Sequence, residues 1–182
     1  METIKALETH YNGFRFRSRI EARWAVFFDS LGYEYEYEPE GYNLGDGYCY
    51  LPDFYLPENN AWIEIKGVGN AITDTEIEKI IRFCKAKCDV LNGGSKFRLL
   101  VGGIPFSVSN NYDTGREGIL CYDYVSALEC KYRPYNQLID EVEDTSRGLL
   151  LPSVWCPKRS RAEIIKGLRK ARQARFEYGE RG

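Results

Sequence analysis

The chain has 182 residues, 43% of them apolar, and a formal net charge of −2, which together predict one domain with a real core rather than a disordered chain. No apolar run approaches the ~18 residues of a membrane span and no apolar signal region opens the chain, so a cytoplasmic location is expected. None of the six cysteines forms a Cys-x-x-Cys pair and His10 is the only histidine, so no zinc is expected and histidine-based hydrolysis is discounted.

The first predicted elements are a hairpin and a helix. Asn12-Gly13 between alternating residues is typical of a tight hairpin turn. Ser18 to Glu21 reads as a capping box that begins a helix, and Gly32 ends it. Either Glu21 only satisfies a backbone donor at the helix start, or its carboxylate points towards the apolar stripe and needs a partner there. The stripe has helical spacing and consists of Ile20, Trp24, Phe27, Phe28 and Leu31.

Three strands are predicted next. Residues 33–38 alternate aromatic and acidic side chains, which is typical of a half-buried strand, and we interpret their tyrosines as packing residues. Residues 41–47 form a predicted loop. Two apolar strands follow, one with Asp53 and one with Glu64 and Lys66, and a turn at residues 57–60 separates them.

The candidate functional residues are Asp53, Glu64 and Lys66. Glu64 and Lys66 are two apart in a strand, so they project from one face, while Ile63 and Ile65 project from the other into a core. If the two strands pair as a hairpin, the carboxylate of Asp53 comes near that of Glu64. Two carboxylates at one sheet edge suit Mg²⁺. Taken singly, Asp53 could be a turn residue, and Glu64 and Lys66 an exposed cross-strand ion pair.

Between residues 73 and 157 the sequence predicts two helices and two strands. A helix is expected over residues 73–91, with residues 92–94 ending it and a strand at 97–101 after it. Residues 119–124 favour a strand and residues 136–144 a short acidic helix, within a stretch at 105–157 whose role the sequence leaves open. The apolar stripe of the 73–91 helix includes two cysteines expected to be buried, and it consists of Ile77, Ile80, Ile81, Cys84, Cys88 and Leu91.

A basic helix is predicted at the C-terminal end, where Ser160 to Glu163 forms another capping box. Residues 158–175 hold eight basic side chains and one acid, so the remainder of the chain carries −9. An apolar face of Ile164, Ile165, Leu168 and Ala171 predicts that the helix docks on the body. Its basic face favours a polyanion partner, and the alternative is a solvated charged surface.

The segments Pro52-Asp53 and Glu64-Ile65-Lys66 resemble the motifs of the PD-(D/E)XK nuclease superfamily. The predicted order of helix, three strands, helix and strand over residues 14–102 is similar to the core of that superfamily. Residues 11–24, 37–42, 50–54 and 171–180 also resemble a phage- and prophage-associated nuclease-like family. Some of its relatives carry paired cysteines ahead of the tail, which suggests zinc, whereas here only Cys156 stands there.

The resemblance implies an α/β fold with a restriction-endonuclease-like core, in which a helix, a mixed three- to five-stranded sheet and a helix follow one another. It places a nuclease-like domain at residues 1–157 and a basic helix docked on it at 158–182. It implies Mg²⁺-dependent phosphodiester hydrolysis, in which Mn²⁺ substitutes, with DNA as substrate and endo- or exonuclease action left open. The implied metal ligands are Glu21, Asp53, Glu64 and the carbonyl of Ile65, and the implied catalytic residues are Glu21, Asp53, Glu64 and Lys66.

Two groups of basic residues are expected to bind the nucleic-acid backbone. Arg17 and Arg19 lie at the start of the first helix, near the expected metal site. The second group lies on the C-terminal helix and consists of Arg161, Lys166, Arg169, Lys170, Arg172 and Arg175. Two other functions stay open, namely a non-catalytic nucleic-acid-binding module with a nuclease-like fold and a nuclease that cleaves RNA. A homodimer, or a complex with a phage or host protein, also stays open, and no membrane partner is expected.

Overall fold

The computed structural model describes residues 6–67, 73–88, 95–101, 120–122 and 159–176, and these residues form a mixed α/β fold. Within them the elements are, in chain order, β1 (Thr9–Tyr11), β2 (Phe14–Phe16), α1 (Arg19–Ser30), β3 (Glu36–Tyr37), β4 (Tyr42–Asn43), β5 (Cys49–Tyr50), β6 (Phe54–Leu56), β7 (Ala61–Lys66), α2 (Asp74–Lys87), β8 (Lys96–Val101), β9 (Leu120–Tyr122) and α3 (Arg161–Gln173). A single 3₁₀ turn, Pro57–Asn59, joins β6 to β7. Among the described helices, none is long and apolar enough to cross a membrane.

The central sheet has the strand order β3-β6-β7-β8-β9. β6 and β7 pair as the predicted antiparallel hairpin, with Phe54 opposite Ile63 and Leu56 opposite Ala61. β7 and β8 are parallel, and α2 lies between them in the chain, as a parallel connection requires. The pairings of β3 with β6 and of β8 with β9 are antiparallel, so the sheet is mixed.

The two faces of the sheet carry different cores because side chains alternate along each strand. Ile63 and Ile65 of β7 belong to the cluster that contains the buried faces of α1 and α3. Trp62 belongs to the second cluster, with Phe83 of α2. The expectation that Glu64 points away from the two isoleucines is therefore confirmed, and the residue lies on the α2 side of the strand.

The start of α1 follows its sequence signals closely. Asn12 and Gly13 have positive φ angles of 47° and 83°, as a tight hairpin turn between β1 and β2 requires. Ser18 is the N-cap of α1, and its side chain accepts from the backbone N–H of Glu21. After the C-cap, Gly32 has a φ of 66°, a conformation that glycine adopts without strain.

α3 packs against α1 through its buried apolar residues. Ile164, Leu168 and Ala171 are buried in the cluster that includes α1. At Gly167 the helices approach so closely that a Cβ atom would lie 2.5 Å from Oγ of Ser30. Ahead of the helix, Arg159 donates from Nε to the carbonyl of Leu31 at 2.6 Å, and its guanidinium lies 4.7 Å from the ring centre of Tyr33.

Three predicted elements differ from the structure in length or type. The strand expected over residues 33–38 is reduced to Glu36–Tyr37, because its partner β6 has only three residues and pairs through Tyr55 and Phe54. The region expected to be a loop at 41–47 contributes β4, which pairs with β5. The helix expected over 73–91 is seen as Asp74–Lys87, with Thr73 as its N-cap.

Other expectations fall partly or wholly beyond the described parts of the chain. The predicted helix at 136–144, the end of the second helix at 92–94 and the boundary between residues 157 and 158 lie outside them. The strand expected at 119–124 is described over Leu120–Tyr122. Cys84 and Cys88 are buried, as expected for small apolar side chains.

Candidate active site

Asp53 and Glu64 are brought together by the β6–β7 hairpin. Asp53 immediately precedes β6, and one further step along the register that pairs Phe54 with Ile63 places it opposite Glu64. Residues directly opposite each other in an antiparallel pair project from the same face. Both carboxylates are buried, with 2% exposure for Asp53 and 4% for Glu64. The predicted approach of these two acids therefore follows from the strand pairing.

Each oxygen of the Asp53 carboxylate accepts one bond from the protein. Oδ2 accepts from the backbone N–H of Ile65 at 2.7 Å, and Oδ1 accepts from Nη2 of Arg17 at 2.8 Å. Burial raises the pKa of Asp53 well above its ordinary value, and the nearby charges of Glu64 and Glu21 raise it further. The Ile65 N–H and Arg17 act in the opposite direction without cancelling the rise. When Asp53 is ionised it is repelled by Glu64 and Glu21, and an added cation would offset this repulsion.

Each carboxylate oxygen of Glu64 also has a partner in the protein. Its Oε2 accepts from the hydroxyl of Tyr50 at 2.8 Å, and its Oε1 lies 2.9 Å from Nζ of Lys66. Tyr50 belongs to β5, and burial followed by the charge of Glu64 raises the pKa of its phenol well above the usual value. The β4–β5 hairpin is fastened to α2, since Arg82 contacts Asp46 at 2.9 Å.

Lys66 lies at the end of β7 between two acids. Besides Glu64, its Nζ lies 3.0 Å from Oε1 of Glu76, in the first turn of α2. The side chain is 22% exposed, so the ammonium group stays close to solvent. Burial on its own lowers the pKa of Lys66, but Glu64 and Glu76 outweigh this effect and the net shift is upwards. Lys66 is therefore a cation fixed beside the paired carboxylates.

Glu21 is a buried acid at the start of α1 that satisfies the backbone donor of Arg17 and also has side-chain partners. It is buried, and its carboxylate accepts from Oγ of Ser18 at 2.6 Å, from the hydroxyl of Tyr37 at 2.7 Å and from the backbone N–H of Arg17 at 3.2 Å. The first two contacts tie it to the start of α1 and to β3. Because its charge also raises the pKa of Asp53, Glu21 belongs to the same electrostatic cluster.

Arg17 contacts this cluster of acids and is itself partly exposed to solvent. Its side chain is 56% exposed, yet Nε forms an ion pair with Glu38 at 2.5 Å while Nη2 contacts Asp53. Glu38 has a positive φ of 45°, which a residue other than glycine rarely adopts, and its N–H donates to the carbonyl of Asp53 at 2.9 Å. Arg17 is thus held over the acids by its partners while much of it remains accessible.

The other predicted nucleic-acid contacts lie on two helices. Arg19 is the half-buried first residue of α1. Arg161 is the first residue of α3, and Arg172 in the same helix is half-buried. Lys166, Arg169, Lys170 and Arg175 are exposed. The residues at 166, 169 and 170 share one helical face, opposite the buried one, and form an accessible basic stripe.

The fit to a metal ion depends on the donor chemistry of two buried acids. The carboxylates of Asp53 and Glu64 are hard oxygen donors whose mutual repulsion a divalent cation would offset. Within the described ranges, His, Cys, Asp and Glu side chains form no group of three or more that could hold a metal ion. Glu21 already accepts from three protein donors. The metal ligands predicted at Glu21 and at the Ile65 carbonyl therefore stay predictions.

Four residues around the site are not singled out by the sequence. Tyr50, Glu38 and Glu76 each contact one of the predicted site residues, and Tyr37 contacts both Glu21 and Arg17. Only Glu76 has a local signal, since Thr73 three residues before it predicts a capping box. The alternation around Tyr37 and Glu38 predicts packing residues, but both side chains also make polar contacts to the site.

Comparison with protein-family models finds no matching family, and searches among curated proteins and solved structures find no similar chain.

Proposed function

We propose that this protein is a metal-dependent nuclease that hydrolyses phosphodiester bonds, with DNA as its substrate. The observation that carries the proposal is the placement of buried Asp53 opposite buried Glu64, with the ammonium group of Lys66 on the second carboxylate. Burying two like charges side by side destabilises a fold, so we infer that the pair is kept for chemistry.

A restriction-endonuclease-like core is part of the same proposal. The order of α1, the strands β3, β6 and β7, α2 and β8 supports it, as does the mixed sheet. In this arrangement the acids and the lysine come from the β6–β7 hairpin, while α1 supplies Glu21 and α2 supplies Glu76. The site therefore draws on the elements that the PD-(D/E)XK resemblance would require.

Asp53 and Glu64 would hold Mg²⁺, or Mn²⁺ in its place, with Glu21 and the Ile65 carbonyl as further proposed ligands. Mg²⁺, when bound, supplies positive charge that polarises a phosphate and lowers the pKa of water. The ammonium of Lys66 would orient the attacking water and stabilise negative charge that develops on the phosphate. Arg17, more than half exposed, would hold a backbone phosphate beside it.

The basic surface of α3 supports a nucleic-acid substrate. Lys166, Arg169 and Lys170 are exposed on the face of the helix opposite its buried residues. Positive side chains along a rigid helix bind phosphates without regard to base sequence. We propose that this stripe, with Arg161, Arg172, Arg175 and Arg19, holds the substrate while the acids and Lys66 act on it.

The test is a cleavage assay on plasmid DNA, single-stranded DNA and RNA, with Mg²⁺ or with EDTA. We expect Mg²⁺-dependent cleavage of DNA, and we expect Asp53→Asn and Glu64→Gln each to abolish it. Glu8→Gln is the matched control, because Glu8 is an exposed acid that pairs with Arg15. Full activity in either site variant would refute the assignment. Binding without cleavage by the wild-type protein would indicate the non-catalytic module, and cleavage of RNA alone would change the substrate.

A further inference from the structure

Glu76 makes two separate sets of contacts with its two carboxylate oxygens. Oε2 accepts from the backbone N–H and from Oγ1 of Thr73, both at 2.9 Å. The bond from the Thr73 N–H, together with the bond from the N–H of Glu76 to Oγ1 of Thr73 at 3.2 Å, forms a helix capping box. Oε1 instead accepts from Nζ of Lys66 at 3.0 Å. One oxygen thus serves the start of α2, and the other serves a residue at the end of β7.

The capping box of α3 provides an internal comparison. There Oε2 of Glu163 accepts both from the N–H of Ser160 at 2.7 Å and from its Oγ at 2.6 Å. A single oxygen is therefore enough to complete a capping box in this chain. The second oxygen of Glu76 is not needed for the cap, so its contact with Lys66 calls for another explanation.

Lys66 has a second acid partner of a different kind. Glu64 lies on the same strand, is buried, and is fixed by Tyr50 from the opposite side. Glu76 approaches the ammonium from a neighbouring helix and is more exposed, at 37% of its side chain. Two acids on different elements define the position of Nζ better than one, because each limits the rotation that the other allows.

We propose that Glu76 is a positioning residue for the reaction, which holds the ammonium group of Lys66 in place beside Asp53 and Glu64. This inference rests on the proposed nuclease function and assigns to it a residue outside the acid pair and the lysine. Glu76 itself contacts neither metal nor phosphate in this proposal. Its effect on catalysis passes through Lys66, so it should disappear when Lys66 is absent.

The experiment compares Glu76→Gln with Thr73→Ala, each made in the full chain. The glutamine keeps a carbonyl oxygen that can accept in the capping box but loses the negative charge that holds Lys66. The alanine removes the capping side chain and leaves the contact between Glu76 and Lys66. Urea denaturation, affinity for a DNA duplex with Ca²⁺ and the single-turnover cleavage rate with Mg²⁺ are measured for both.

We expect Glu76→Gln to lower the cleavage rate by roughly tenfold, the usual scale for a partner that orients a functional group, with DNA affinity within about twofold of wild type. Thr73→Ala should lower the urea midpoint but keep the rate. In a Lys66→Ala background, Glu76→Gln should cause no further loss of rate.

Three results would overturn the proposal: a normal rate in Glu76→Gln, an equal loss of rate in Thr73→Ala, or a further loss in the Lys66→Ala background. Each of them leaves the nuclease assignment intact, because the wild-type protein still cleaves. A wild-type protein that cleaves no nucleic acid would instead refute the proposed function, and the role of Glu76 with it.

Discussion

Asp53 is the most deeply buried acid of the candidate site, and its charge should reduce the stability of the metal-free protein. Its pKa is raised by burial and by Glu64 and Glu21, whereas the pKa of an aspartate in the unfolded chain is about 3.9. Between these two pKa values the unfolded chain releases the proton more readily than the folded protein does. Stability is therefore lost as the pH rises through this window.

We predict that Asp53→Asn raises the melting temperature of the EDTA-treated protein at neutral pH by a few degrees. Asparagine has the shape of the protonated acid and carries no charge. The gain over wild type should shrink as the pH falls and disappear at about pH 4, where the folded protein holds the carboxyl protonated. Thermal melts of both proteins across this range provide the measurement. A lower melting temperature at neutral pH, or a gain independent of pH, would contradict the prediction.

Lys66 should matter for the chemical step more than for substrate binding. It is one cation among many, but its ammonium group lies 2.9 Å from the carboxylate opposite Asp53. We predict that Lys66→Ala lowers the single-turnover rate by on the order of 10²-fold, as the loss of one charge-stabilising group typically does. Affinity for DNA in Ca²⁺ should stay nearly unchanged. Lys79→Ala on α2 is the control, and a Lys66 variant with normal rate but weak binding would show a different role.

Arg17 should compete with a metal ion for Asp53, because its guanidinium lies 2.8 Å from Oδ1. Removing this cation frees one oxygen and removes a repulsive charge. We predict that Arg17→Gln binds Ca²⁺ several-fold more tightly, measured by calorimetry or by the Ca²⁺ concentration that raises the melting temperature. Arg15→Gln is the matched control, since Arg15 pairs with Glu8 at the surface. Equal Ca²⁺ affinity in the two variants would rule out the competition.

At the scale of elements, the contact between α1 and α3 depends on a glycine. A Cβ atom at Gly167 would lie 2.5 Å from Oγ of Ser30 and 3.3 Å from Phe27. Alanine normally favours a helix over glycine by ~1 kcal/mol. We predict that the clash outweighs this gain, so that Gly167→Ala lowers the free energy of unfolding by about 1–2 kcal/mol.

A second substitution tests the cause of that loss. Ser30→Ala removes the oxygen that a Cβ at residue 167 would meet, so Gly167→Ala should be far less harmful in this background. Urea denaturation of the wild type, the two single variants and the double variant gives the coupling. Additive losses would mean that Ser30 is not the obstacle and that the helices are kept apart by other contacts.

At the scale of the whole molecule, the charge of the chain is divided between an acidic body and a basic helix that is packed on it. Removing α3 would also remove buried Leu168 and Ala171 from the core, so substitution is a cleaner test than truncation. We predict that Lys166→Gln with Arg169→Gln weakens DNA binding and flattens the slope of log affinity against log salt. The slope should change by about 0.9 for each phosphate that is no longer neutralised by a basic side chain.

The control for this salt titration is Lys79→Gln with Lys85→Gln, which removes the same charge from α2. Both pairs are measured with Ca²⁺ between low and moderate salt. Equal slopes for the two double variants would indicate that the stripe on α3 is a solvated surface. A larger effect from the α2 pair would move the proposed interface to the other side of the sheet.

Features that depend on neighbours a few residues apart could be predicted from the residue types alone. The caps at Ser18 and Ser160, the turn at Asn12-Gly13 and the shared face of Glu64 and Lys66 are of this kind. A cap or a turn closes its hydrogen bonds within about four residues, and a strand alternates every two, so the pattern of residue types is sufficient. The α/β class and the β6–β7 hairpin also followed from such local patterns.

The distant side chains that complete the site are brought to it by strand order and helix packing. Tyr50 reaches Glu64 because the β4–β5 hairpin lies against α2, and Glu38 reaches Arg17 because β3 pairs with β6. No periodicity encodes such contacts, since they depend on the order of strands in the sheet and on which face each helix covers. The length of β3 was decided in the same way, because a strand extends only as far as its partner offers backbone donors and acceptors.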